Sequence, residues 1–162
     1  MQKLVDTGKV RNIGVSNFEQ ENLEKLLAHP DTKIVPAVNQ IELHPNHPSP
    51  KLLAFNKSKG IHSTAYSCLG STDSPLYKDQ TLLSMADKKG KTPQQIMLQW
   101  GLQRDSSVIP KSVTKRRIES NFQLDGWELS HEEMDSLDNL RDRFKVCGDG
   151  WLPVKVFFGN DE

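Results

Sequence analysis

Val108-Ile109-Pro110-Lys111-Ser112-Val113-Thr114-Lys115-Arg116-Arg117 passes from a short apolar run straight into the start of a helical pattern. Ser107–Pro110 reads as a strand, and Thr114–Asn121 as the helix that follows. The same strand-then-helix unit recurs three times upstream. Ile61–Tyr66 is followed by helical stretches over Gln80–Lys89 and Pro93–Gln103. Val35–Leu43 precedes a helix carrying Leu52, Leu53 and Phe55 that closes near Gly60. Arg11–Val15 precedes a helix over 19–29, in which Leu23, Leu26 and Leu27 recur at helical spacing. Downstream, Ser130–Arg143 opens on a capping box from Ser130 to Glu133, and Thr92 with Pro93 marks another helix start. Four such units predict parallel strands joined by right-handed crossovers, an α/β class. The pattern alone leaves a doubly wound sheet and a barrel both open.

The chain has 162 residues, 21 Lys plus Arg and 21 Asp plus Glu, so no net charge draws it to nucleic acid or an acidic membrane. Neither is expected as a partner. The opening residues lack the apolar core of a signal peptide and look like the middle of a helix. Cys68 and Cys147 stand far apart without CxxC spacing, which suits a reducing, cytoplasmic setting. One structural unit is expected over 1–147, with a tail over 148–162 that has no clear period.

In parallel α/β folds, ligands gather at the carboxyl ends of the strands. Four such ends here carry polar or aromatic residues: Ser16-Asn17, Asn39-Gln40, Tyr66-Ser67 and Lys111-Ser112. Ser16 and Asn17 taken alone read better as caps of the helix after them. Gln40 in an apolar strand is harder to dismiss, because a buried amide without partners is costly. At 108–117 a strand end meets a helix N-terminus, where free N–H groups and the helix dipole favour an anion. Lys111 and Arg117 add charge there, so the stretch reads as a phosphate site. His44 and His47 form a loop pair without further metal-ligating company, and no metal is expected. No GxGxxG, P-loop or nucleophile-elbow motif occurs. Met85, Met97 and Met134 fall on apolar helical positions and read as core.

Gly8–Phe18 (GKVRNIGVSNF) and Ile109-Pro110-Lys111-Ser112 resemble the signatures of the aldo-keto reductase family. Pro36–Glu42 (PAVNQIE), Ala65-Tyr66-Ser67 and the order of elements agree. The resemblance covers about residues 1–147 and implies the second half of a (β/α)8 barrel, units five to eight and a final helix. The family reduces aldehydes and ketones with NADPH, so NADP(H) and a small carbonyl substrate are implied.

By position, the resemblance assigns Ser16, Asn17 and Gln40 to the nicotinamide carboxamide and Tyr66 to stacking on the ring. Ser67, Leu69 and Ser71 would line the pyrophosphate. Lys111, Ser112 and Arg117 would hold the adenosine 2′-phosphate, with backbone contacts from Val113 and Thr114, and Asn121 would meet adenine. Cys147 matches a cysteine near the nicotinamide in some relatives. Two positions depart from the pattern: Cys68 replaces a common proline, and Ser120 replaces a glutamate that reaches toward adenine. The family's catalytic Tyr, Asp, Lys and His belong to the first half of the barrel, and none has a counterpart here. The chain is therefore expected to be inactive alone and to self-associate. A nucleotide-binding or regulatory module without turnover is the alternative, and a product of an alternative start is a third.

Overall fold

Residues 1–72 and 74–148 are described by a computed structural model, and the expected tail lies almost wholly outside them. In chain order the elements are α1 (Gln2–Asp6), β1 (Val15–Ser16), α2 (Gln20–Ala28), β2 (Val38–Glu42), α3 (Pro50–Ser58) and β3 (His62–Tyr66). A short 3-10 helix (Pro75–Lys78) then precedes α4 (Gln80–Lys89), α5 (Pro93–Gln103), β4 (Ser106–Val108), α6 (Lys115–Phe122) and α7 (His131–Asp138). The four strands form a parallel sheet in the order β1-β2-β3-β4. Strand order that follows chain order, with a helix on every crossover, is one winding of a barrel wall.

The chain divides into two compact units, with β2 and β3 running through both. In the first, residues 1–41 and 49–64, β1 pairs with β2 in the register Val15 to Asn39 and Ser16 to Gln40. The two strands approach so closely that a Cβ on Gly14 would overlap the Val38 side chain and stand 2.7 Å from the Val38 carbonyl oxygen. Glycine is required there by contact. Leu23 of α2 is fully buried, and Asn56 of α3 donates to Ser63 Oγ at 3.0 Å. Gln2 of α1 accepts from the backbone N–H groups of Lys33 and Ile34, which ties the opening helix to the approach to β2.

The second unit, residues 42–48 and 65–146, holds the larger core. Leu82, Ile96, Met97, Leu98, Trp100 and Leu137 are fully or almost fully buried. Trp100 cannot bury its indole N–H unpaired, and it donates to Asp138 at 2.7 Å. Arg104 reaches both oxygens of the same carboxylate at 2.7 Å, and its guanidinium lies 4.8 Å from the Trp100 ring centre. Three glutamines at a four-residue interval on α5 fasten the end of α6 and the stretch that leads from it to α7. Gln95 donates to the carbonyls of Ser120 and Gln123, Gln99 to that of Trp127, and Gln103 to that of Leu129.

Along β3 the burial alternates. Ser63 and Ala65 are buried, while His62 is exposed and Thr64 and Tyr66 are half-buried. Parallel strands with both faces covered read as continuous apolar runs. Here one face of β3 is covered.

The strand ends shift by a few residues from the sequence expectation, β1 most of all, to Val15–Ser16, and two helix ends differ as well. α7 stops at Asp138, short of Arg143, because residues 142–146 give their hydrogen bonds to the 42–48 loop instead of to a helix. The N-cap of α2 is Glu19, so neither Ser16 nor Asn17 caps it.

Candidate functional site

At the end of β1, the Ser16 hydroxyl donates to the Gln40 carbonyl at 2.9 Å, and the Asn17 N–H reaches the same oxygen at 3.0 Å. Capping, the reading their sequence position favours, is therefore replaced by a cross-strand link. Asn39, fully buried, makes both amide bonds to the Phe18 backbone: Nδ2 donates to the carbonyl at 2.7 Å and Oδ1 accepts from the N–H at 3.4 Å. Alternation along β2 then sends Gln40 to the opposite face, where it is half-buried. Asn39 is a positioning residue that sequence reasoning left without a role. Its signal is an amide at a core-facing strand position, which has to find partners.

In the second unit, β3 ends at Tyr66, and the chain turns through Ser67 and Ser71 with φ of 47° and 69°. The described non-glycine residues with left-handed backbone are Asn17, Ser49, Ser67, Ser71 and Asp105, so three of the five fall on residues assigned to the cofactor. Such conformations cost about 1–3 kcal/mol each and collect at ligand sites. Leu69 is held in this loop by Tyr77, whose hydroxyl donates to its carbonyl at 3.0 Å. Burial raises the Tyr77 pKa, opposed by a hydrogen bond to Gln94 and by the charge of Arg117. Tyr77 thus joins the 67–71 loop to Gln94 of α5, a link no local motif announces. Cys68, in the place of the familiar proline, is buried, and burial pushes its thiol up to about 11, which removes it as a nucleophile at neutral pH.

Beyond β4, Lys111, Val113, Thr114 and Arg117 are exposed, and Ser112 and Asn121 are half-buried. The Ser112 hydroxyl accepts from the Thr114 N–H at 3.2 Å, which shapes the turn into α6. Thr114 is the N-cap of α6 but does not cap with its side chain, and the Arg117 N–H already bonds the Thr114 carbonyl at 3.0 Å, which leaves the N–H groups of Lys115 and Arg116 without an intrahelical partner. Among the described residues no ion pair is formed by Lys111 or Arg117, whereas Lys115 lies 3.9 Å from Glu119. A helix start with open N–H groups and free cations suits a multiply charged phosphate.

At the loop after β2, His44 and His47 form an isolated antiparallel bridge, and the described residues contain no group of three metal-ligating side chains. Burial, above all, lowers the His47 pKa from 6.5 to about 4, with smaller lowering from His44, Lys145 and Arg143 and an opposing effect of Glu42. Between pH 6.5 and 4 the unfolded chain therefore binds a proton that the folded chain refuses. The stabilisation is complete above pH 6.5 and is lost as pH falls toward 4. An NMR pH titration of the His47 ring should place its midpoint near 4. A midpoint near 6.5 would count against the burial of this ring.

Residues 1–142 match the family model described as Aldo/keto reductase family, and the chain belongs to that family. It is 42% identical over 160 residues to glycerol 2-dehydrogenase (NADP(+)) of Saccharomyces cerevisiae, covering 97% of this chain and 51% of that protein. It is 43% identical to D-galacturonate reductase of Hypocrea jecorina over 161 residues, 99% of this chain and 51% of the other. The aldose reductase structure from Giardia lamblia superposes with a TM-score of 0.85 at 38% identity, over 92% of this chain and 51% of that one. That from Schistosoma japonicum gives 0.79 at 44% identity, over 85% and 44%. The chain spans about half the length of the relatives it matches. Its relatives are oxidoreductases. Among the described residues no helix is long and apolar enough to cross a membrane.

Proposed function

We propose that the chain is the cofactor-holding half of an NADP(H)-dependent reductase of aldehydes or ketones. The observation that carries this reading is the start of α6, where Lys111 and Arg117 flank open backbone N–H groups without ion-pair partners among the described residues. The cofactor, when bound, supplies a hydride to the carbonyl carbon. This chain's part is to bind and orient it. Lys111, Ser112 and Arg117 hold the 2′-phosphate, Val113 and Thr114 contribute backbone contacts, and Asn121 meets adenine. Ser67, Leu69 and Ser71 line the pyrophosphate.

Ser16, Asn17 and Gln40 hold the carboxamide, and Tyr66 stacks on the ring. The Ser16 proton is committed to the Gln40 carbonyl, so its lone pairs remain to accept from the carboxamide NH2. The substrate is a small carbonyl compound, and the partner of the isolated chain is another copy of itself.

Arg117→Ala decides the matter of the phosphate. A charge-assisted hydrogen bond is worth about 1.5–3 kcal/mol, or roughly one to two decades of affinity. Titrations should show NADPH weakened by that much and NADH almost untouched. Equal losses for the two cofactors would remove Arg117 from the site.

A further inference from the structure

Glu42 is the last residue of β2 and, by alternation, shares the side of Val38 and Gln40, both half-buried. Yet its carboxylate is almost fully buried, and nothing in the proposed cofactor chemistry uses it. One of its partners lies in the chain about 100 residues later. Glu42 Oε1 accepts from the Val146 N–H and lies 2.9 Å from His44 Nε2, on a ring that is itself fully buried.

Three more bonds close the same seam. Asn46 Nδ2 donates to the Asp142 carbonyl at 2.6 Å, the Phe144 N–H to the Asn46 carbonyl at 3.2 Å, and Arg143 to the Pro45 carbonyl at 3.4 Å. The Phe144 and His44 rings stand 6.1 Å apart. Residues 142–146 are thus a strap across the 42–48 loop, and residues 147–162 follow directly on it in sequence. His44 and His47 on the loop and Asp142, Arg143 and Lys145 on the strap are the titratable and charged groups along the seam, and Glu42, His44, Lys145 and Arg143 all act on His47.

We infer that Glu42 is the catch of an acid-released strap, holding residues 142–146 closed at neutral pH and freeing them as the pH falls. Ionised Glu42 accepts two hydrogen bonds out of water, where they are strongest. Protonation removes the charge that both donors face. Closer to pH 4, His47 takes up a proton against the charges of Arg143 and Lys145, which adds repulsion across the seam. Both events push one way. The inference does not depend on the reductase reading.

Hydrogen exchange on the whole chain tests it, with the amides of Phe144 and Val146 followed against those of α5 as an internal reference. Relative to α5, protection in the wild type should fall by about tenfold or more from pH 7 to pH 4.5. Glu42→Ala should be open already at pH 7, and trypsin should cut it about ten times faster after Arg143 and Lys145. Glu42→Gln combined with His47→Gln mimics the uncharged catch and removes both titrations, so its strap should be open already at pH 7 and its protection independent of pH. Three results would overturn the strap: unchanged wild-type protection at pH 4.5, unchanged protection in Glu42→Ala, or losses that extend equally to α5.

Discussion

Purified by itself, this chain is expected to leave a size-exclusion column as an oligomer or a loosely packed species, without a sharp melting transition. The reason lies in the sheet. β1 and β4 are the outer strands of the order β1-β2-β3-β4, and each has hydrogen-bonding groups on one side that a closed barrel would pair. β4 runs on into Ile109, exposed at 47%, which adds an apolar residue at that edge. One face of β3 is buried and the other only half-buried at Thr64 and Tyr66 and exposed at His62, in a fold whose strands are normally buried on both. Ordering entropy per residue stays the same while burial falls, so the net stability is expected to be marginal. Light scattering and a thermal melt read the outcome. A clean monomer with a sharp, cooperative transition would show that the four units are self-sufficient.

The second large effect is catalytic silence. Reduction of a carbonyl leaves an alkoxide that needs a proton, and general acids at this step contribute about 10²–10⁴-fold. The chain has two tyrosines. Tyr66 is assigned to the nicotinamide face, and the Tyr77 hydroxyl is spent on the Leu69 carbonyl with its pKa raised by burial. Cys68 is buried with its thiol pushed up to about 11. NADPH oxidation with a reactive aldehyde such as glyceraldehyde should therefore stay at the buffer background. Addition of a first barrel half carrying the missing Tyr, Asp, Lys and His should raise it. A nucleotide-binding module without turnover would stay silent in both cases, and turnover by this chain alone would mean the chemistry has been misplaced.

Much of the fold was legible because its signals are local. α4 and α5 occupy the expected residues, and Thr92 and Gln95 close a capping box around Pro93, all within one turn of chain. β1 was not. The apolar run suggested Arg11–Val15, whereas pairing to β2 settles on Val15–Ser16, a choice made by a partner 24 residues away. The same distance explains Ser16 and Asn17, whose capping chemistry is local but whose actual acceptor is the Gln40 carbonyl.

The basic turn at 111–117 was legible as a helix start meeting positive charge, since both signals lie in seven residues. Asn39, Tyr77 and Glu42 act through partners 21, 8 and 104 residues away in sequence, and no short pattern encodes those meetings.

The central claim is that the turn after β4 grips a phosphate carried on the 2′ position of adenosine. Adenosine 2′,5′-bisphosphate and adenosine 5′-monophosphate differ in that phosphate alone, and both are small enough to engage Lys111, Ser112, Arg117 and Asn121 without the nicotinamide end of the site. Titrating each into the chain by calorimetry isolates the contrast. The account predicts that the 2′-phosphorylated nucleotide binds about one to two decades more tightly, and that Arg117→Ala erases most of the difference. Equal affinities for the two nucleotides in the wild-type chain would contradict it.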